Sequence, residues 1–97
     1  VSGQLVVNVR TGARFDVYVG RPHPRYGSGP WGNPFVIGRD GDRAEVLAKY
    51  SEWLAEQPRL RERAMQELRG KVLGCWCVPE GCHAEILAAV ANAPLLN

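Results

Sequence analysis

Long apolar runs are missing from this chain: no stretch approaches the ~18–20 residues that would cross a bilayer. No charged segment followed by an apolar one opens it, so no signal peptide is visible and a cytoplasmic setting is the expectation. Cysteine is scarce and clustered, with all three at Cys75, Cys77 and Cys82. An odd, clustered set is a poor disulfide framework, and reduced thiols fit better. Lysine is scarce too, ten of the twelve basic residues being Arg, and ten acids leave a net charge of +2. A strongly basic nucleic-acid binder carries a larger excess. An anionic small ligand, or a weak nucleic-acid contact, therefore stays open. There is no internal repeat, no low-complexity tract and no Gly-Lys-Ser/Thr of a P-loop.

What remains is the composition of an ordinary globular chain, 45% hydrophobic and 23% charged over 97 residues, which is one domain, 1–97, with a small core. Leu5-Val6-Val7-Asn8-Val9 is a short β-rich run, and Phe15-Asp16-Val17-Tyr18-Val19 is a second with strict alternation. Thr11-Gly12-Ala13 between them makes an antiparallel hairpin the simplest joining, and the alternation places Phe15, Val17 and Val19 on one face. Asp42-Arg43-Ala44-Glu45 reads as a capping box that opens a helix, with Val46, Leu47, Tyr50 and Leu54 on its apolar stripe, ending near Glu56. Pro58 opens a second helix with Leu60, Ala64 and Leu68 inward and Gly70 as its stop. Residues 71–76 read as a buried strand, 78–81 as a tight turn, and a last helix starts at Cys82 or His83. The expected fold is α/β: a small three-stranded mixed sheet flanked by about three helices, in the order β-β-α-α-β-α, with a long Gly/Pro-rich loop.

Two stretches carry chemistry. In Cys75-Trp76-Cys77-Val78-Pro79-Glu80-Gly81-Cys82-His83, residues two apart on a strand face the same way, so Cys75 and Cys77 project together if the strand reaches that far. Three readings stand side by side. Cys75, Cys77, Cys82 and His83 match zinc in kind, although the spacing is not that of separated Cys-x-x-Cys pairs. Alternatively, a strand leading into a helix through a Pro-Gly turn offers backbone N–H groups to an anion. Cys77, Cys82 and His83 are then the catalytic candidates, a thiol being activated at a helix start and His83 acting as base or donor. The third reading is plain packing, since Cys is often buried. No cofactor is favoured, and zinc is the one that the residues would accommodate.

The second stretch is the loop at 20–41, longer than loops without function usually are. Gly20 permits close backbone approach, Arg21 can grip phosphate or carboxylate with two parallel hydrogen bonds, and Trp31 offers a stacking face. Gly32 and Asn33 follow, the Asn amide suiting a base edge. Gly20, Arg21, Trp31, Gly32 and Asn33 are the ligand-binding candidates. The competing reading makes Trp31 and Phe35 lids on the core and Asn33 a turn cap. His23, Arg25 and Tyr26 lie in what reads as a surface excursion.

Val7-Asn8-Val9-Arg10, Val17-Tyr18-Val19-Gly20-Arg21, Trp31-Gly32-Asn33-Pro34-Phe35, and Leu73-Gly74-Cys75-Trp76-Cys77 through Cys82-His83 together resemble the bacterial and phage family called domain of unknown function 4326. The likeness runs from about Leu5 to Asn92, with 23–30 longer than the usual connection. The ending also resembles a second uncharacterised family with Cys-His-Arg at a helix start; here Ala84 follows His83. Neither resemblance implies a reaction. Both imply that these motifs travel together. The leading expectation is a domain that binds, and in one version processes, a nucleotide-like or other phosphate-bearing ligand. The alternative is a zinc-stabilised, non-enzymatic module that contacts nucleic acid or protein.

Overall fold

The computed structural model describes residues 5–27, 29–76 and 81–93. The elements follow the expected order: β1 (Val6–Asn8), β2 (Val17–Tyr18), α1 (Arg43–Ala55), α2 (Pro58–Glu67), β3 (Leu73–Cys75) and α3 (His83–Ala91). A single 3-10 turn at Val9–Thr11 follows β1. Among the described residues no helix is long and apolar enough to cross a membrane.

The helices start and stop where local chemistry dictates. Asp42 caps α1, its Oδ1 accepting the Glu45 N–H at 2.9 Å while Glu45 Oε1 accepts the Asp42 N–H at 3.1 Å. Pro58 stands in the first turn of α2, where its missing N–H costs nothing. The chain then turns away at Gly70, in the left-handed region with φ 75°. Tyr50, Leu54, Ala64, Leu68 and Leu87 pack with Leu73 and Val19 in one buried cluster.

The sheet differs from the expected one. Its order is β1-β3-β2, and β3 pairs in parallel with both neighbours. Among the described residues there is no β1–β2 hairpin and no mixed sheet: the first two strands run the same way, and β3 lies between them. Burial accounts for this. Leu73, Gly74 and Cys75 are all buried, as a central parallel strand requires, while β1 and β2 are only half-buried. Phe15 also departs from its expected face. The N–H groups of Asp16 and Val17 both donate to the Val72 carbonyl, at 2.7 and 3.2 Å, which is the pairing of a β-bulge. The bulge breaks the alternation, so Val17 and Val19 face the helices while Phe15 covers Gly74 on the other side. A Cβ on Gly74 would stand 2.8 Å from Phe15 and 2.9 Å from Val9, so only glycine lets these side chains lie across β3.

Helices thus cover one face of the sheet, and rings line the other. Tyr18, level with Gly74 in the register, joins Phe15, Tyr26, His23 and Trp76 there.

Candidate functional site

In a parallel sheet, ligand sites lie beyond the carboxyl ends of the strands. Here β2 runs out into Val19, Gly20 and Arg21, and β3 into Trp76. A cavity of about 170 Å³ opens at this edge. Gly20, Arg21 and Asn33 of the loop line it, together with Cys75, Cys82 and His83. The two motif regions therefore meet in space. Ile37, Val46 and Leu47 add apolar residues to the lining, and Arg43 and Trp76 also contribute to it.

The lining is fixed by specific bonds. A Cβ on Gly20 would fall 2.5 Å from the Tyr18 hydroxyl, so glycine is needed for that hydroxyl to reach its partners. It donates to the Arg21 carbonyl at 2.6 Å and accepts the Trp76 Nε1–H at 2.9 Å, tying the ends of β2 and β3 together. Arg21 Nη2 donates to the Phe35 carbonyl at 2.8 Å, and Asn33 Oδ1 accepts the Phe35 N–H at 2.9 Å. These bonds close the loop on itself beside the cavity. From α1, Arg43 Nη1 donates to the Gly81 carbonyl at 2.8 Å and anchors the approach to α3.

Cys82 is the N-cap of α3, and its backbone N–H donates to Glu85 Oε1 at 3.2 Å. The positive end of the helix favours negative charge at this point. His83 is buried, with Nε2 at 2.8 Å from the Val19 carbonyl. A carbonyl only accepts, so Nε2 carries the proton. In the neutral ring Nδ1 is then an acceptor, and it lies 3.8 Å from Cys82 Sγ. The Cys75 and Cys82 sulfurs approach to 2.8 Å, both buried. The Tyr50 ring meets the His83 ring edge-on at 5.2 Å. Burial, reinforced by Cys82, holds the Tyr50 hydroxyl far above its usual range, so it stays protonated and donates to the Trp31 carbonyl at 3.1 Å.

Of the sequence-derived candidates, Gly20, Arg21, Asn33, Cys75, Cys82 and His83 line the cavity. Trp31 and Gly32 do not line it. Trp31 is 4% exposed within the core cluster, so its face is not offered to a ligand. Cys77 lies outside the described residues. Arg43 and Trp76 were not singled out from sequence. Arg43 was visible only as part of a capping box, and its long side chain crosses to Gly81 instead of following the helix axis.

Of the four residues that match zinc in kind, Cys75, Cys82 and His83 are described and Cys77 lies outside the described residues. Two thiolates on one tetrahedral zinc with bonds of 2.3 Å stand roughly 3.8 Å apart, whereas Cys75 and Cys82 are closer. His83 Nε2 is engaged with a carbonyl, leaving only Nδ1 to ligate. Among the described residues no three His, Cys, Asp or Glu form a group that could hold a metal.

The chain matches the family described as Domain of unknown function (DUF4326) over residues 7–93 and belongs to it. It is also similar to the uncharacterized 12.4 kDa protein in the nrdA-td intergenic region of Enterobacteria phage T4, at 30% identity over 66 residues. That alignment covers 64% of this chain and 59% of the phage protein. No solved structure matches.

Proposed function

We propose that this chain binds a phosphate-bearing, nucleotide-like ligand in the cavity between the glycine-rich loop and the start of α3, with Cys82 and His83 as its reactive pair. The observation that carries the reading is the make-up of the cavity lining, which includes two arginines, Arg21 and Arg43, and no carboxylate among the described lining residues. Both cations are held by backbone carbonyls, which spares a bound anion the entropic cost of ordering them. The N-terminus of α3 adds its own positive end beside them.

About 170 Å³ admits one ring or one phosphoryl group, not a whole nucleotide. The rest of such a ligand would leave past Trp76. At the thiol, Nδ1 of His83 is placed to take the Cys82 proton. The thiolate would then bond to an electrophilic carbon or phosphorus. The leaving group would depart with its electron pair and recover the proton from Nδ1, and water would release the bound fragment and restore the thiol.

Calorimetric titration with nucleoside mono- and triphosphates, and with inorganic phosphate, tests the binding. Arg21→Ala and Arg43→Ala should each weaken the best ligand at least about tenfold, since charge-assisted hydrogen bonds are the strong ones. Unchanged affinity in both variants would sink the reading. Cys82→Ser should retain the ligand and lose turnover; full turnover would remove the thiol from the chemistry.

A further inference from the structure

The face of the sheet that no described helix covers carries a feature that the cavity does not use. Tyr26 lies 5.2 Å from Tyr18, 5.8 Å from Phe15 and 5.1 Å from His23, and His23 lies 5.3 Å from Trp76. Tyr26, His23 and Trp76 are each half-buried, so each residue keeps some contact with solvent. Two exposed guanidiniums flank them: Arg10 stands 5.6 Å from the Trp76 ring centre and Arg25 stands 5.6 Å from that of Tyr26. Arg14 and Arg21 are exposed on the same segment. Charge along the chain is sharply divided. Residues 5–35 contain four Arg against the single acid Asp16, whose carboxylate accepts the Val72 N–H, while the remainder of the chain is slightly acidic. The modest overall charge therefore conceals a basic, ring-lined face.

We propose that this face binds single-stranded nucleic acid, with bases stacked on Tyr26, His23 and Trp76 and phosphates held by Arg10 and Arg25. Interleaved rings and cations are what an unpaired strand requires, because every base has a stacking face and every step a phosphate. A duplex hides its base faces and gains only the charge. Trp76 belongs both to this face and to the cavity lining, so one nucleotide of the strand reaches the cavity. In that respect the proposal extends the reading of the cavity from a mononucleotide to a chain.

Fluorescence anisotropy with labelled oligothymidylate and oligouridylate of about twelve nucleotides, a length within usual site sizes, tests it at several salt concentrations, with a duplex of equal length alongside. Arg10→Gln with Arg25→Gln should weaken single-strand binding at least about tenfold at low salt and flatten the log–log salt slope by about 1.4, at roughly 0.7 per phosphate. Tyr26→Ala should weaken it at least about fivefold with the slope unchanged. Arg59→Gln with Arg61→Gln, on exposed α2, should change nothing. The arginine pair is solvent-exposed, so its effect is readable even if Tyr26→Ala folds poorly. Absence of single-strand binding at low salt, indifference to the arginine pair, or a duplex bound as tightly would overturn the proposal. The cavity is separated by titrating a mononucleotide into the same variants and into Arg43→Ala. Mononucleotide binding that depends on Arg43, without any strand binding, would leave the cavity and remove the face. Strand binding that depends on Arg10 and Arg25, without any mononucleotide binding, would do the reverse.

Discussion

Adding one methyl group at Gly74 is the sharpest test of how the sheet is assembled. In Gly74→Ala the new carbon would meet Phe15 Cγ at 2.8 Å, Phe15 Cδ2 at 2.9 Å and Val9 Cγ1 at 2.9 Å. Carbon atoms prefer about 3.5–4.0 Å, so both side chains must move by more than half an ångström. Overpacking of this kind costs roughly 1–3 kcal/mol. Relief of the glycine's backbone entropy returns about 0.5–1 kcal/mol. The net loss expected is about 1.25 kcal/mol at mid-range and at most about 2.5 kcal/mol, the mid-range value being roughly 5–10 °C in Tm for a domain of this size. Circular dichroism melts and urea titrations measure it. The clash also has a signature that general damage to a strand lacks. Phe15→Ala removes two of the three contacts, so Gly74→Ala should cost less in that background, with a coupling of at least about 0.5 kcal/mol. If the two losses simply add, the placement of Phe15 over β3 is wrong.

Two further outcomes follow from bonds already described. His83→Leu leaves the Val19 carbonyl buried without its partner and should cost about 1–3 kcal/mol, whereas His83→Gln, which keeps a donor, should recover part of it; equal losses in urea titrations would mean that the Nε2 bond is not the cause. Asp40 is held below the usual carboxylate range, first by the Val36 N–H and then by Arg39. Its contribution is therefore present above the unfolded pKa of about 4 and is lost as pH falls through the lower folded value. The stability gap between the wild type and Asp40→Asn should be steady from pH 6 to 7 and close on acidification; a gap that widens in acid would reverse the sign of this argument.

The helices were legible because their signals are local. Asp42 and Glu45, Pro58, Gly70 and the start at Cys82–His83 act within a turn of themselves, and each stands where the sequence places it. The sheet was not legible in the same way. Strand direction depends on which segment fills the gap between β1 and β2, and that segment lies far along the chain. Phe15 was misassigned because a bulge shifts alternation by one residue without changing the pattern that the eye reads. At the site, chemistry-bearing residues such as Arg21, Asn33 and Cys82 could be read by type. Trp31 could not be assigned between lid and platform until its burial against Tyr50 and Arg63 was known. Arg43 was hidden because its role depends on Gly81, far from it in sequence.

The central position of β3 also orders events in time. Among the described residues β1 and β2 find their backbone partners only in β3, so neither can become a strand before Leu73–Cys75 exists. During synthesis the first two segments must wait, unpaired, while both α1 and α2 are made. Pairings of such separation are slow to form. When β3 arrives it joins three parts of the chain in one step, and Cys82 and His83 follow within the next eight residues. The sheet and the cavity at its edge are therefore a single late event, and a ribosome that stalls before residue 73 holds a pair of helices with no site.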